Sequence, residues 1–257
     1  MKCLLVSDLH YTLPQFDWLL SVAQNYDVVI VAGDHLDTAS AVDARVQITV
    51  ILTYLKQLQS KTRLIVSSGN HDLDTRNADG ERVARWISKV RALGISTDCD
   101  TIEIGSTLIT ICPWWDGPQA KEQVRAQLQR DADRPKARWI WVYHAPPADS
   151  PTCWDGKQAW GDADLTGWIA QYQPDMVLTG HIHQSPFRAG GAWVDRMGKS
   201  WVFNSGRQIG PCPTHTVFDT NEETALWFSL AGDRVVRLNE PLPNPVPELT
   251  ELPAWLT

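Results

Sequence analysis

The chain has no apolar run approaching the ~20 residues a membrane-spanning helix needs, no internal repeat and no CxxC pair. Its opening apolar stretch, Met1-Lys2-Cys3-Leu4-Leu5-Val6, is cut by Asp8. That falls short of the roughly 7–15 residues of a secretory h-region, so it reads as a first strand. Five cysteines, Cys3, Cys99, Cys112, Cys153 and Cys212, are scattered and odd in number. They argue against a disulfide framework or a zinc–thiolate site, and for free thiols in a reducing, cytoplasmic compartment. Positive charge is also short: 23 Lys+Arg against 30 Asp+Glu leave a net charge of −7. Gripping long nucleic acid through its phosphates leaves a basic footprint, so neither nucleic acid nor membrane is an expected partner. The remainder is an ordinary globular composition, 43% hydrophobic and 21% charged over 257 residues, ample for a real core.

Short β-branched apolar runs at residues 2–7, 28–32 and 63–66 read as strands buried on both faces. Helical spacing of apolar residues marks 14–24 and 42–59, and a third helix is expected over 81–93, ended by Gly94. The βαβαβα series points to an open, largely parallel sheet. The pattern then changes. Residues 101–104 and 107–111 form a hairpin around Gly105-Ser106, followed by a helix at 119–129, a strand at 139–143, a helix at 165–172 and a strand at 176–179. From Trp201 the chain reads as β only, at 201–203, 214–218, 225–230 and 234–238. Such a sequence suits two sheets packed face to face with helices outside. Residues 1–240 are read as one domain, and the proline-rich 241–257 as an extended tail on the body, pinned by Trp255.

The histidines carry the chemistry. Five of the seven (His10, His71, His144, His181 and His183) follow a predicted strand, each beside a carboxylate, an amide or a glycine. The loops read Asp8-Leu9-His10, Gly33-Asp34-His35-Leu36-Asp37, Gly69-Asn70-His71-Asp72, Tyr143-His144-Ala145 and Gly180-His181-Ile182-His183. Loops at the carboxyl ends of parallel strands converge on one crevice. The donors would be mixed oxygen and nitrogen with no thiolate, a set suited to divalent Mn, Fe, Co, Ni or Zn. They are too many for one tetrahedral ion, so two metal ions are the economical reading.

In the order DxH, GDxxD, GNH[DE], lone His and GHxH, these segments resemble the calcineurin-like metallophosphoesterase superfamily. The resemblance runs from Asp8 to His183, or to Asn204-Ser205-Gly206 if an Asn-x-Gly segment is counted. It implies an α/β fold, a four-layer α/β/β/α sandwich with two central mixed sheets. It also implies hydrolysis of phosphomono- or phosphodiesters through a metal-bridging hydroxide. Carried over by residue, Asp8, His10 and His183 would hold one ion, Asn70, His144 and His181 the other, and Asp34 would bridge them with its two oxygens. His71 would be the general acid, oriented by Asp37 and by Asp72. Gly33, Gly69 and Gly180 would let backbone approach the metals or phosphate. The expected substrate is a small phosphate ester. Two alternatives share the fold: a nuclease, which the acidic balance disfavours, and a non-catalytic scaffold like the retromer subunit, which the full ligand set disfavours.

Other features read more plainly. His35 is a neighbour of the site and His215 a structural residue. The thirteen tryptophans are mainly core, although Trp114-Trp115, Trp154 and Trp160 could wall a substrate. Residues 146–162 are long for a connection, as lids and specificity elements are. Arg207 is equally suited to anchoring a phosphate and to lying at the surface.

Overall fold

A computed structural model describes residues 1–243. The first part runs β1 (Lys2–Val6), α1 (Leu13–Val22), β2 (Val28–Ala32), α2 (Ala44–Gln59), β3 (Arg63–Ser67), β4 (Thr75–Arg76), β5 (Arg82–Val83), α3 (Ile87–Ala92) and β6 (Ser96–Thr97). Next come β7 (Thr101–Ile104), β8 (Thr107–Ile111), α4 (Pro118–Ala132), β9 (Arg138–Val142), α5 (Ala163–Tyr172) and β10 (Met176–Thr179). The chain closes with β11 (Val194–Met197), β12 (Ser200–Asn204), β13 (His215–Asp219), β14 (Thr224–Ser229) and β15 (Gly232–Arg237).

Two mixed sheets result, of order β15-β14-β13-β1-β2-β3-β6 and β11-β12-β10-β9-β8-β7. The period-2 geometry of a strand distributes the apolar runs between layers. In β1, Cys3 and Leu5 point between the sheets, while Leu4 and Val6 face α1 and α2. In β9, Ile140 and Val142 join that central layer, while Trp139 and Trp141 pack under α4 and α5. The outcome is the four-layer α/β/β/α sandwich. Among the described residues no helix is long and apolar enough to cross a membrane.

One expected element changes. Only Ile87–Ala92 of the helix read over 81–93 is helical, and Arg82–Val83 pairs instead with Thr75–Arg76. The polar groups of this stretch find partners elsewhere. Asn77 Oδ1 accepts the Glu81 N–H at 2.9 Å, and Asp74 Oδ1 accepts the Arg85 N–H at 2.6 Å. The Glu81 carboxylate accepts the N–H groups of Gln119 and Ala120 at the start of α4, at 2.7 and 3.0 Å. Strands β6 and β11 were not expected. Of the tail, residues 244–257, Trp255 among them, lie outside the described residues.

Candidate metal centre

The parallel strands β1, β2 and β3 end side by side and deliver Asp8, Asp34 and Asn70. From the second sheet, β9 and β10 deliver His144, His181 and His183 across the gap. The first-sheet loops are laced together by Asp8 N–H to Gly33 O (3.2 Å), His10 N–H to Asp34 O (2.9 Å) and Tyr11 N–H to His35 O (2.8 Å). Asp8, His10, Asp34 and His181 all adopt positive φ, of 56°, 41°, 54° and 71°. That region is costly for residues with a Cβ, and it concentrates where a site demands it.

Donor atoms converge in adjoining groups. Asp8, His10, Asp34 and His183 form one, Asp34, His144 and His181 a second, and His10, Asp37 and His71 a third, each with its ligand atoms within 4.8 Å of one another. Asp34 belongs to two of them. Its Oδ2 faces His144 Nε2 at 3.1 Å and His10 Nε2 at 3.6 Å. Its Oδ1 accepts the His71 N–H at 2.8 Å. His10 Nε2 and His183 Nε2 stand 3.0 Å apart, with Asp8 Oδ1 3.3 Å from the latter.

These residues fit divalent ions. His144 Nδ1 donates to Ala32 O at 2.7 Å, which turns Nε2 toward the carboxylates of Asp34 and Asp8. That Nε2 is buried without a hydrogen-bond partner among the described residues, and so is Asn70 Oδ1. An orphaned buried acceptor on the loop beside a cluster of carboxylates and imidazoles suits a cation. Asp8 is held from behind: Ser7 Oγ donates to its Oδ2 at 2.6 Å, and the His181 N–H reaches both oxygens at 3.1 and 3.0 Å.

The charges of the cluster act strongly on one another. Burial opposes ionisation of Asp8, yet His144, His183 and His10 hold its carboxyl well below the usual range. Against the same burial penalty, His144 keeps Asp34 down at about 2. Burial also works against a charged His144, but Asp34 and Asp8 overcome it and lift the imidazole to about 9. Burial pushes His10 and His181 down to about 4, leaving both neutral and able to ligate.

Around this cluster some expected roles shift. The partner of His71 Nδ1 is Thr38 Oγ1 at 2.8 Å, while Asp37 Oδ1 accepts the N–H of Ala39 at 2.9 Å. Asp72 holds His35 and not His71. Its oxygens take His35 Nδ1 (3.0 Å), the N–H groups of His35 (3.0 Å) and Leu36 (3.1 Å), and the N–H of Gly69 (2.8 Å). Asp72 therefore ties the Asp34 loop to the Asn70 loop. Thr38 gave no signal in the sequence, because its reach to His71 comes from the tight turn at residues 37–40. His215 is a packing residue, 4.7 Å from the Trp18 ring and 5.0 Å from Phe228.

Trp115 stacks on Tyr143 at 3.9 Å and 3°, a packing role. Trp114 has its ring 5.2 Å from His181 and 5.8 Å from His144, and so flanks the site. Residues 146–162 fold back on themselves through Pro147–Asp162 and Trp154–Ala159 bridges. They are pinned from below, where Ser185 Oγ donates to Pro151 O at 2.8 Å.

A model of the calcineurin-like phosphoesterase family matches residues 1–185. The chain belongs to that family. No curated protein sequence matches this calcineurin-like phosphoesterase. Among solved structures it is similar to TT1561 of Thermus thermophilus, at 14% identity and a TM-score of 0.57, covering 93% of this chain and 99% of that one. It is also similar to the purple acid phosphatase PPD1 from yellow lupin seeds, at 13% identity and a TM-score of 0.54, covering 88% of this chain and 50% of that one. Vps29 of Entamoeba histolytica complexed with zinc matches at 14% identity with a TM-score of 0.43, covering 93% and 100%. At such identities the likeness concerns the fold.

Proposed function

We propose that this phosphoesterase holds two divalent ions and hydrolyses small phosphate esters in the crevice between its sheets. The observation that carries the reading is the sharing of Asp34 by two adjoining donor groups. Asp8, His10 and His183 would serve one ion, Asn70, His144 and His181 the other, with Asp34 Oδ2 facing both groups. Bound there, divalent ions would acidify water to a nucleophile at neutral pH and neutralise charge on the phosphoryl oxygens.

The chain's own groups do the rest. His71 packs edge-on to His10 with ring centroids 4.5 Å apart, beside the donors and half-buried. From there its Nε2 can give a proton to the departing alkoxide, while Thr38 holds Nδ1 and fixes the ring's direction. Asp37 lies in the same group as His10 and His71. Trp114 flanks the centre beside His144 and His181.

The test is to load purified protein with manganese, count bound metal by elemental analysis, and follow p-nitrophenyl phosphate and its bis ester. About two ions per chain and turnover of at least one ester are expected. Asp34→Ala and His144→Ala should lose both metal and turnover, because each leaves buried carboxylate or imidazole partners uncompensated. Full metal content without turnover of any ester across pH would sink the catalytic reading in favour of a scaffold.

A further inference from the structure

The segment after β12 brings Arg207 against the loop that carries His183. Arg207 donates its backbone N–H to His183 O at 3.1 Å, so it is tied to the loop that carries a proposed ligand. The backbone on either side is clamped. Asn204 Nδ2 donates to Thr152 O (2.9 Å) and Ile182 O (3.1 Å), and its Oδ1 accepts the Gly206 N–H at 2.9 Å. Gly206, at φ +69°, sits where a Cβ would meet Pro186 at 2.7 Å and His183 O at 2.9 Å. Beyond Arg207, Gln208 is held at both ends of its amide, Nε2 to Cys212 O at 2.7 Å and Oε1 from the Leu230 N–H at 2.8 Å.

Within this fixed frame the half-buried Arg207 side chain makes no hydrogen bond or ion pair with any described residue. A guanidinium spends its donors on carboxylates or phosphates wherever it can. A rigid loop that holds one beside a cationic centre, with no acceptor among the described residues, leaves an anion from solution as its partner.

We propose that Arg207 selects phosphomonoester dianions at this centre by binding their non-bridging oxygens. The inference rests on the phosphoesterase reading above. The charges decide between ester classes. Two divalent ions against Asp8 and Asp34 would leave a surplus of two positive charges. A diester carries one negative charge, and the attacking water develops a second as it loses its proton, so that sum is balanced without help. A monoester dianion adds one more negative charge, and Arg207 supplies the matching positive one. Its planar fork also fits two terminal oxygens of one phosphoryl group, which a diester presents less freely.

The test compares wild type, Arg207→Ala and Arg207→Lys, all loaded with manganese. It reads kcat/KM for p-nitrophenyl phosphate and its bis ester, bound metal, and the calorimetric Kd of inorganic phosphate. In the Ala variant, monoester kcat/KM should fall by roughly 10- to 100-fold, the scale of a lost charge-assisted hydrogen bond. Diester turnover should change by less than about threefold, phosphate Kd should rise by about tenfold or more, and metal content should hold. Lys should restore only part, since it lacks the fork. An equal fall for both esters, or an unchanged phosphate Kd, would overturn the assignment. If wild type cleaves neither ester, the hydrolytic reading falls, and the phosphate titration of wild type against the Ala variant still decides whether Arg207 binds phosphate.

Discussion

Gly69 is where the site can be broken without touching a ligand. A Cβ there would stand 2.3 Å from Asp34 Oδ1, 2.6 Å from Asp34 N and 2.8 Å from His144 Cδ2, whereas ordinary contact begins at 3.4 Å. The backbone itself is extended, at φ −117° and ψ −177°, so Gly69→Ala carries no torsional penalty and acts by overlap alone. Relief requires Asp34 or the Asn70 loop to move by about 1 Å, and overpacking of this kind costs about 1–3 kcal/mol. Metal–ligand distances tolerate only ~0.2 Å. Indirect disturbance of ligands already costs about 10–100-fold in metal affinity, and a displaced Asp34 should exceed that. The variant should therefore remain folded by far-ultraviolet circular dichroism, melt somewhat below wild type, and bind manganese at least roughly 100-fold more weakly by titration. The metal-dependent rise in Tm should shrink with it. A Gly69→Ala protein that fills both sites at wild-type affinity would refute the placement of Asp34 between the two donor groups.

Three other perturbations follow from the same structure. Burial pushes the Asp98 carboxyl from 3.8 to about 7, against hydrogen bonds from Ser68, beside a cavity of roughly 280 Å³. Since folding raises this pKa, the unfolded chain gives up the proton first, and stability falls as pH rises from about 4 to about 7 and is level above that. The upper figure is about 4 kcal/mol at 1.36 kcal/mol per unit, which water in the cavity screens toward about 1–2. Asp98→Asn should gain on wild type in urea midpoints between pH 5 and 8, and an equal difference at both pH values would count against it. Thr38→Val removes the hydroxyl on His71 Nδ1 and should lower kcat by about fivefold with KM little changed, from ~1 kcal/mol of lost hydrogen bonding. Thr38→Ser should recover it, and an unaltered kcat in the Val variant would show that Thr38 does not orient the ring. Asp131 is buried in α4 and accepts hydroxyls from Thr101 and Thr110 at 2.6 and 2.7 Å. Asp131→Ala should cost about 2–3 kcal/mol by chemical denaturation, because both hydroxyls are stranded.

Much of this fold is written in strand periodicity. The run Val28-Val29-Ile30-Val31-Ala32 is apolar at every position because alternate residues serve different layers, Ile30 the space between sheets and Val29 the helices outside. The helix read over 81–93 failed for a reason that periodicity does not encode. Glu81 is committed to the start of α4, thirty-eight residues away, and that tertiary bond outweighs local helix preference. Strand β11, with Asp195 and Arg196 at its middle, lacks the apolar signal because it lies on the edge beside β12. The loop motifs pointed to Asp and His side chains that the fold does bring together, but not to which oxygen of Asp34 faces them or which side chain reaches His71. Those depend on φ values and turns that spacing leaves free.

The positive φ of Asp8, His10, Asp34 and His181 bears on how the centre is made. Each such residue costs on the order of 1–3 kcal/mol and persists only when its surroundings over-determine it. The over-determination is visible as backbone bonds from the Asp8 loop to the Gly33 loop and as Asp72 joining that loop to Gly69. None of these bonds involves a metal. The strain is therefore borne by the sheet edges, so the donors are held together before any cation arrives. Binding then spends little on ordering the chain. Loss of metal should accordingly lower stability while leaving the secondary structure intact, and a far-ultraviolet spectrum of chelator-treated protein that collapses toward coil would show that the loops depend on the ions after all.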